Sequence, residues 1–190
     1  MSTEALGAAL LRIARNAIGE RFGHSAQAPT TAEAERLAHL AELARPGASF
    51  VTLTQDGQLR GCIGSLEAHR PLAADVAANA LAAAFADPRF SPLVAGELAR
   101  IHVEVSLLTP AEPIAYTDEA DALARLRPGI DGVILTHGER RATFLPQVWE
   151  SLPTARHFIT QLKLKAGLPA DYWDGQITLA RYGVQKWKEN

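Results

Sequence analysis

The sequence predicts an α+β fold, a mainly antiparallel sheet with flanking helices, and three observations lead there. SFVTLTQDGQLRGCIG (49–64) and GVILTHGERRATF (132–144) have the form of hairpins, the first turning on an Asp-Gly pair between β-branched and apolar residues. Segments of helical period stand before, between and after them. The alternation of the two kinds lacks the regular βαβ repetition that builds a parallel sheet.

Taken in order, Leu6, Leu10, Leu11, Ala14, Ala17 and Ile18 fall at three- and four-residue spacings and predict a helix over 4–20. Thr30 followed by Glu33 has the form of a capping box, opening a second helix through Leu37, Leu40 and Leu43 that Pro46 and Gly47 stop. The first hairpin turns at Gln55-Asp56-Gly57. Residues 71–87, PLAADVAANALAAAFAD, return to helical character, with Pro71 in the first turn and Pro88 past the end. Their near-continuous alanine implies burial on more than one side. Asp75 and Asn79, four apart, share a face of that helix.

Residues 88–98 read as irregular. IHVEVSLL (101–108) alternates as a strand, with Ile101, Val103, Val105 and Leu107 on one side and His102, Glu104 and Ser106 on the other. DEADALARLRPG is a short helix, and the second hairpin turns near His137-Gly138-Glu139. A further helix runs from about Pro153 to Gly167. QITLARYGVQKWKE predicts one final strand whose alternation shifts around Ala180 to Gly183, as at a bulge. No repeat or linker separates independent domains, so the chain reads as one domain over 1–190.

Totals exclude several classes. Nineteen basic against 21 acidic residues leave a formal net charge of -2, without the positive field of a nucleic-acid binder. No apolar run approaches the roughly 18 residues of a membrane span. The start carries Glu4 and no basic region ahead of its apolar positions, so it reads as an amphipathic helix, not a signal peptide. With one free cysteine, a cytoplasmic location is expected. The same count rules out an intrachain disulfide and a structural zinc site, and no metal is expected. No P-loop, dinucleotide fingerprint or G-x-S-x-G points to a cofactor or a standard nucleophile.

The residues that could carry chemistry centre on Cys62. Strict alternation puts Arg60, Cys62 and Gly64 on one face of their strand and Leu59, Gly61 and Ile63 on the other, with Arg60 roughly 7 Å from Cys62. The cysteine is open to two readings, a reactive thiol or a small buried hydrophobe. Glycine within a strand costs about 0.5–1 kcal/mol relative to alanine, so Gly61 and Gly64 mark a place where a ligand, or the alanine-rich helix, comes close. His102 and Glu104 are the acid or base candidates. Arg60, Gly61, Gly64, Asn79, Arg89 and Arg141 are the candidate substrate-binding residues. ADPRFSPL forms a rigid turn presenting Asp87 and Arg89, GERRATFLPQVWE carries Arg140 and Arg141 into a strand, and Lys163 and Lys165 sit near a helix C-terminus, where cations are favoured.

LRGCIGSLE (59–67), AAFADPRFSPL (83–93), EVSLLTPAEPI (104–114), GVIL (132–135), TFLPQVWE (143–150) and KAGLP (165–169) resemble, in order and spacing, the AMMECR family. LRGCIG and FLPQVW are the specific elements, and the prokaryotic form is similar to protein A of the three-part AmmeMemoRadiSam system. The resemblance implies two unequal lobes, the larger built from both chain ends, with a cleft near LRGCIG. It implies partners, a Memo-like protein and a radical S-adenosylmethionine enzyme, and no settled activity. Many members carry L-C-x-K-A-G where this chain has Lys163, so a two-cysteine mechanism is not required here. Two functions follow as expectations. One is a small-molecule enzyme or enzyme component with Cys62 as nucleophile or ligand and Arg60 as anion clamp. The other is a non-catalytic scaffold that uses Phe90 and Trp149 of DPRFSPL and FLPQVWE as exposed contacts.

Overall fold

The apolar stripe at the N-terminus forms α1 (Thr3–Glu20), and α2 (Ala41–Ala44) follows. Then come β1 (Ser49–Gln55), β2 (Gln58–Gly64), α3 (Leu72–Phe85), a 3-10 turn (Ala95–Glu97), β3 (Ile101–Leu108), β4 (Glu112–Pro113) and α4 (Glu119–Arg125). The chain finishes with β5 (Gly132–His137), β6 (Arg140–Phe144), a second 3-10 turn (Pro146–Glu150), α5 (Ala155–Lys165), β7 (Thr178–Tyr182) and β8 (Val184–Lys188). The computed structural model describes residues 3–24 and 41–189. The capping box of Thr30 and Glu33, and the helix start it predicts, lie outside the described residues. Two four-stranded antiparallel sheets have the orders β2-β1-β3-β8 and β4-β7-β5-β6, which makes the class α+β. One compact unit runs to Leu108 and resumes at Gln185; the other spans Thr109–Val184.

In the first unit, Val51, Leu53, Val103 and Val105 bury one face of the sheet under Leu10 and Ile18 of α1 and Val76 and Ala80 of α3. Each of these valine, leucine and isoleucine side chains contributes about 1.5–3 kcal/mol relative to exposure. The β1-β2 turn holds Asp56 and Gly57 at φ 52 and 77, the left-handed pair a tight hairpin needs. Trp187 of β8 reaches α1 at Gly7, where an added Cβ would lie 2.1 Å from its Cδ1.

The second unit packs α4 and α5 on its own core of Leu135, Phe158, Ile159 and Leu162. Here three expectations change. Trp149 is buried, stacks on Phe158 at 3.9 Å and donates its Nε1 to the Asp131 carbonyl at 2.7 Å, so FLPQVWE supplies core and not an exposed contact. Lys163, expected as a cation favoured by the helix C-terminus, is instead buried and held by an ion pair between α5 and α4, its Nζ donating to Glu119 Oε1 at 3.0 Å. The final strand is two strands, β7 and β8, in different sheets. The break falls at Gly183, whose amide donates to Thr109 Oγ1 and whose carbonyl accepts from Thr109 N.

Candidate functional site

Strand β2, at the edge of its sheet, carries the cysteine. Counting out from the turn, Gln55 faces Gln58 and Thr54 faces Leu59, but Leu53 faces Gly61. Arg60 is therefore an extra residue, a β-bulge, and the alternation that would aim it with Cys62 breaks there. Its guanidinium goes to Glu97 instead, Nε to Oε1 at 2.8 Å and Nη2 to Oε2 at 3.0 Å. The Glu97 hydrogen bond raises the arginine pKa, and Arg60 in turn lowers that of Glu97. Arg60 is thus paired away from the thiol.

Past the bulge the register brings three residues into one row across the sheet: Cys62 faces Thr52, and Thr52 faces Glu104 on β3. Thr52 Oγ1 donates to Cys62 Sγ at 3.3 Å. Two strand spacings put Glu104 roughly 10 Å from Cys62. Glu104 is half-buried with Lys186 Nζ 3.9 Å away, and His102 is exposed, opposite Thr54. Among the described residues no hydrogen bond joins Cys62 to either of them.

The open edge of β2 is closed by side chains. The Cys62 amide donates to Asp87 Oδ2 at 2.9 Å, and the Cys62 carbonyl accepts from Arg89 Nη2 at 3.1 Å. Arg89 also donates to Asp87 through its Nε at 2.9 Å and Nη2 at 2.7 Å. One acceptor and one donor thus stand where a neighbouring strand would pair, with Pro88 fixing the turn between them. Asp87 is 4% exposed. The Arg89 side chain, opposed by burial and helped by the Cys62 and Arg89 amides, holds its carboxyl far below the usual carboxylate range. Arg89 is raised, first by its bond to Asp87 and further by the Cys62 side chain. The arginine tied to Cys62 is Arg89, through the backbone carbonyl.

Both glycines have packing partners inside the unit. A Cβ on Gly61 would lie 2.1 Å from the Ala83 carbonyl oxygen of α3. One on Gly64 would lie 2.2 Å from the ring of Phe50, its cross-strand partner. Of the alternatives open at Gly61, the alanine-rich helix is what approaches it. Asn79 is buried beside Asp75 and donates to the Ser49 carbonyl at 2.9 Å. Arg141 is exposed on β6, opposite Thr136, in the other unit.

Thr52, Glu97 and the bracing role of Asp87 are not legible from spacing. An unbroken hairpin from the Asp-Gly turn sets Cys62 against Val51, and only the bulge moves it to Thr52. The assembled group is a partly buried cysteine whose sulfur accepts from the Thr52 hydroxyl and whose carbonyl accepts from a guanidinium held by Asp87. It can attack or ligate, and it can dock negative charge.

The family model AMMECR1 matches residues 11–187. The chain is 41% identical to a protein of Methanothermobacter thermautotrophicus over 147 residues, 74% of each chain. It is 40% identical to a protein of Thermotoga maritima over 146 residues, 76% of this chain and 79% of the other. A crystal structure of an uncharacterized protein from Pyrococcus horikoshii is similar with a TM-score of 0.74 at 32% identity, covering 95% of this chain and 90% of that one. From its eleventh residue almost to its end, through both units, this chain belongs to the AMMECR1 family.

Proposed function

We propose that this protein, of the AmmeMemoRadiSam protein A type, is a small-molecule-binding enzyme or enzyme component. It acts in the cytoplasm with a Memo-like protein and a radical S-adenosylmethionine enzyme, at a site on the LRGCIG strand. The observation that carries the reading is the surroundings of Cys62: Thr52 Oγ1 at 3.3 Å from the sulfur, with Arg89 Nη2 held at 3.1 Å from the carbonyl of the same residue. A cysteine kept only for its size does not need the hydroxyl donor at its sulfur. Cys62 serves as nucleophile or ligand, and Arg89 takes the anion-binding part that spacing gave to Arg60. Glu104, two strands away in the same row, and His102, in another row, are outside hydrogen-bond reach of the sulfur and act on a bound molecule and not on the thiol itself.

The sequence has one cysteine, so alkylation reads this site alone. In the native protein Cys62 is expected to react with iodoacetamide without prior unfolding. Cys62→Ala is expected to abolish turnover by the reconstituted three-protein system. A thiol that reacts only in denaturant, together with full activity of Cys62→Ala, would overturn the reading.

A further inference from the structure

The Asp87–Arg89 pair is built in a way that bracing the strand edge does not explain. Arg89 spends Nε and Nη2 on Asp87 and on the Cys62 carbonyl. Its Nη1 has no hydrogen-bond partner among the described residues. The carboxylate that balances it is 1% exposed while the arginine side chain is 53% exposed, so the side turned to solvent is the cationic one. The guanidinium carbon lies 5.5 Å from the centre of the Phe90 ring, which further limits where the planar group can sit. With Nε and both Nη2 hydrogens committed, the two N–H groups of Nη1 are what remain to donate to an oxyanion such as a carboxylate or phosphate. Glu104, the carboxylate in the same row as Cys62, has Lys186 beside it.

Resting on the reading of the Cys62 strand as the ligand site, we propose that its ligand is a small molecule carrying an oxyanion group, carboxylate or phosphate. That group docks on the outer edge of Arg89 beside the thiol, and Asp87 is the positioning residue that aims the guanidinium. This makes DPR a recognition element as well as an edge cap.

Paired alkylating reagents test the charge preference. In both, sulfur displaces iodide, the S–C bond forming as C–I breaks and the thiol proton passing to water; only the reagent's charge differs. The iodoacetate-to-iodoacetamide rate ratio at Cys62 is expected to exceed that of a free-cysteine peptide by about threefold or more at low salt, and to fall towards it at high salt. Arg89→Gln removes the excess, and Arg89→Lys, charged without the fork, keeps only part of it. Asp87→Asn also lowers the ratio although the arginine charge remains, a result that a merely structural role for Asp87 would not give.

A second measurement does not need the thiol to react. Inorganic phosphate, and acetate in a parallel titration, is expected to shift the Arg89 Nε–H resonance saturably in the full chain and in Cys62→Ala. The stronger of the two identifies the group preferred. A ratio equal to that of the peptide with no saturable shift overturns the proposal. A thiol inert to iodoacetamide with a saturable Arg89 shift sinks the thiol reading and supports the oxyanion dock; a reactive thiol with no shift does the reverse.

Discussion

Gly61 and Gly64 sit three residues apart on one strand and exclude a side chain for different reasons, which separates their mutational outcomes. At Gly61 the obstacle is the Ala83 carbonyl of a helix, and backbone does not yield without moving α3. At Gly64 it is the Phe50 ring, which can turn. Gly64→Ala is expected to cost about 1–3 kcal/mol, an ordinary overpacking loss. Gly61→Ala is expected to cost more, with urea titration of both variants as the measurement. Equal losses would mean that α3 gives way as easily as a ring. The comparison also bears on Cys62: the strand is narrow on the helix side because of α3, so what is particular to the opposite side is the sulfur, Thr52 and Arg89.

Among elements, the junction of β1, β2 and α3 is set by a buried carboxylate. Asp75 accepts from the Ser49 amide at 2.9 Å, Ser49 Oγ at 2.6 Å, Ser65 Oγ at 2.7 Å, Arg70 Nε at 2.8 Å and Asn79 Nδ2 at 3.0 Å. Ser49 opens β1 and Ser65 follows β2, so one helix residue pins the open end of the hairpin. Asp75→Ala removes the acceptor that these donors share, leaving the Ser49 amide and Arg70 Nε unpaired, and is expected to cost about 3 kcal/mol or more, measured as a fall in urea midpoint. The shared face of Asp75 and Asn79 was readable from a spacing of four; that the face points into the protein was not, because polar residues four apart look the same on a solvated helix. The first hairpin was readable because Asp-Gly fixes its own turn. Its register was not, since a bulge inserts one residue without any composition signal and exchanges the faces of everything before it. That single residue moved the candidate clamp from Arg60 to Arg89. The sequence pattern does not separate β7 from β8 for a related reason: alternation shows that a strand continues, not which sheet it joins.

For the whole molecule, stability against acid follows from carboxylates held below their ordinary range in both units. Asp87 and Glu97 are lowered in the first, chiefly by Arg89 and Arg60, and Asp174 in the second, chiefly by Tyr172. A carboxyl whose folded pKa lies below the unfolded value of about 4 gives stability that is present above that pH and lost as pH falls through the folded value. The urea midpoint is therefore expected to drop below about pH 4, and to drop less steeply in Asp87→Asn; an unchanged slope in that variant would remove Asp87 from the account. Trp149→Ala is expected to cost about 3–5 kcal/mol as a core deletion, so any loss of partner binding in that variant would report unfolding, while Phe90, half-exposed, remains the informative position for the scaffold reading. The two units also share a device: Phe50 lies over Gly64 across one sheet, and Tyr182 over Gly132 across the other, where an added Cβ would meet the ring at 2.4 Å. Each pair behaves as one quantity of volume divided unequally between facing strands. Over generations such positions are constrained jointly: a lineage that lost the glycine regains stability by shrinking the aromatic too, and the exchange Phe50→Ala with Gly64→Ala should retain more stability than the sum of the two single losses allows.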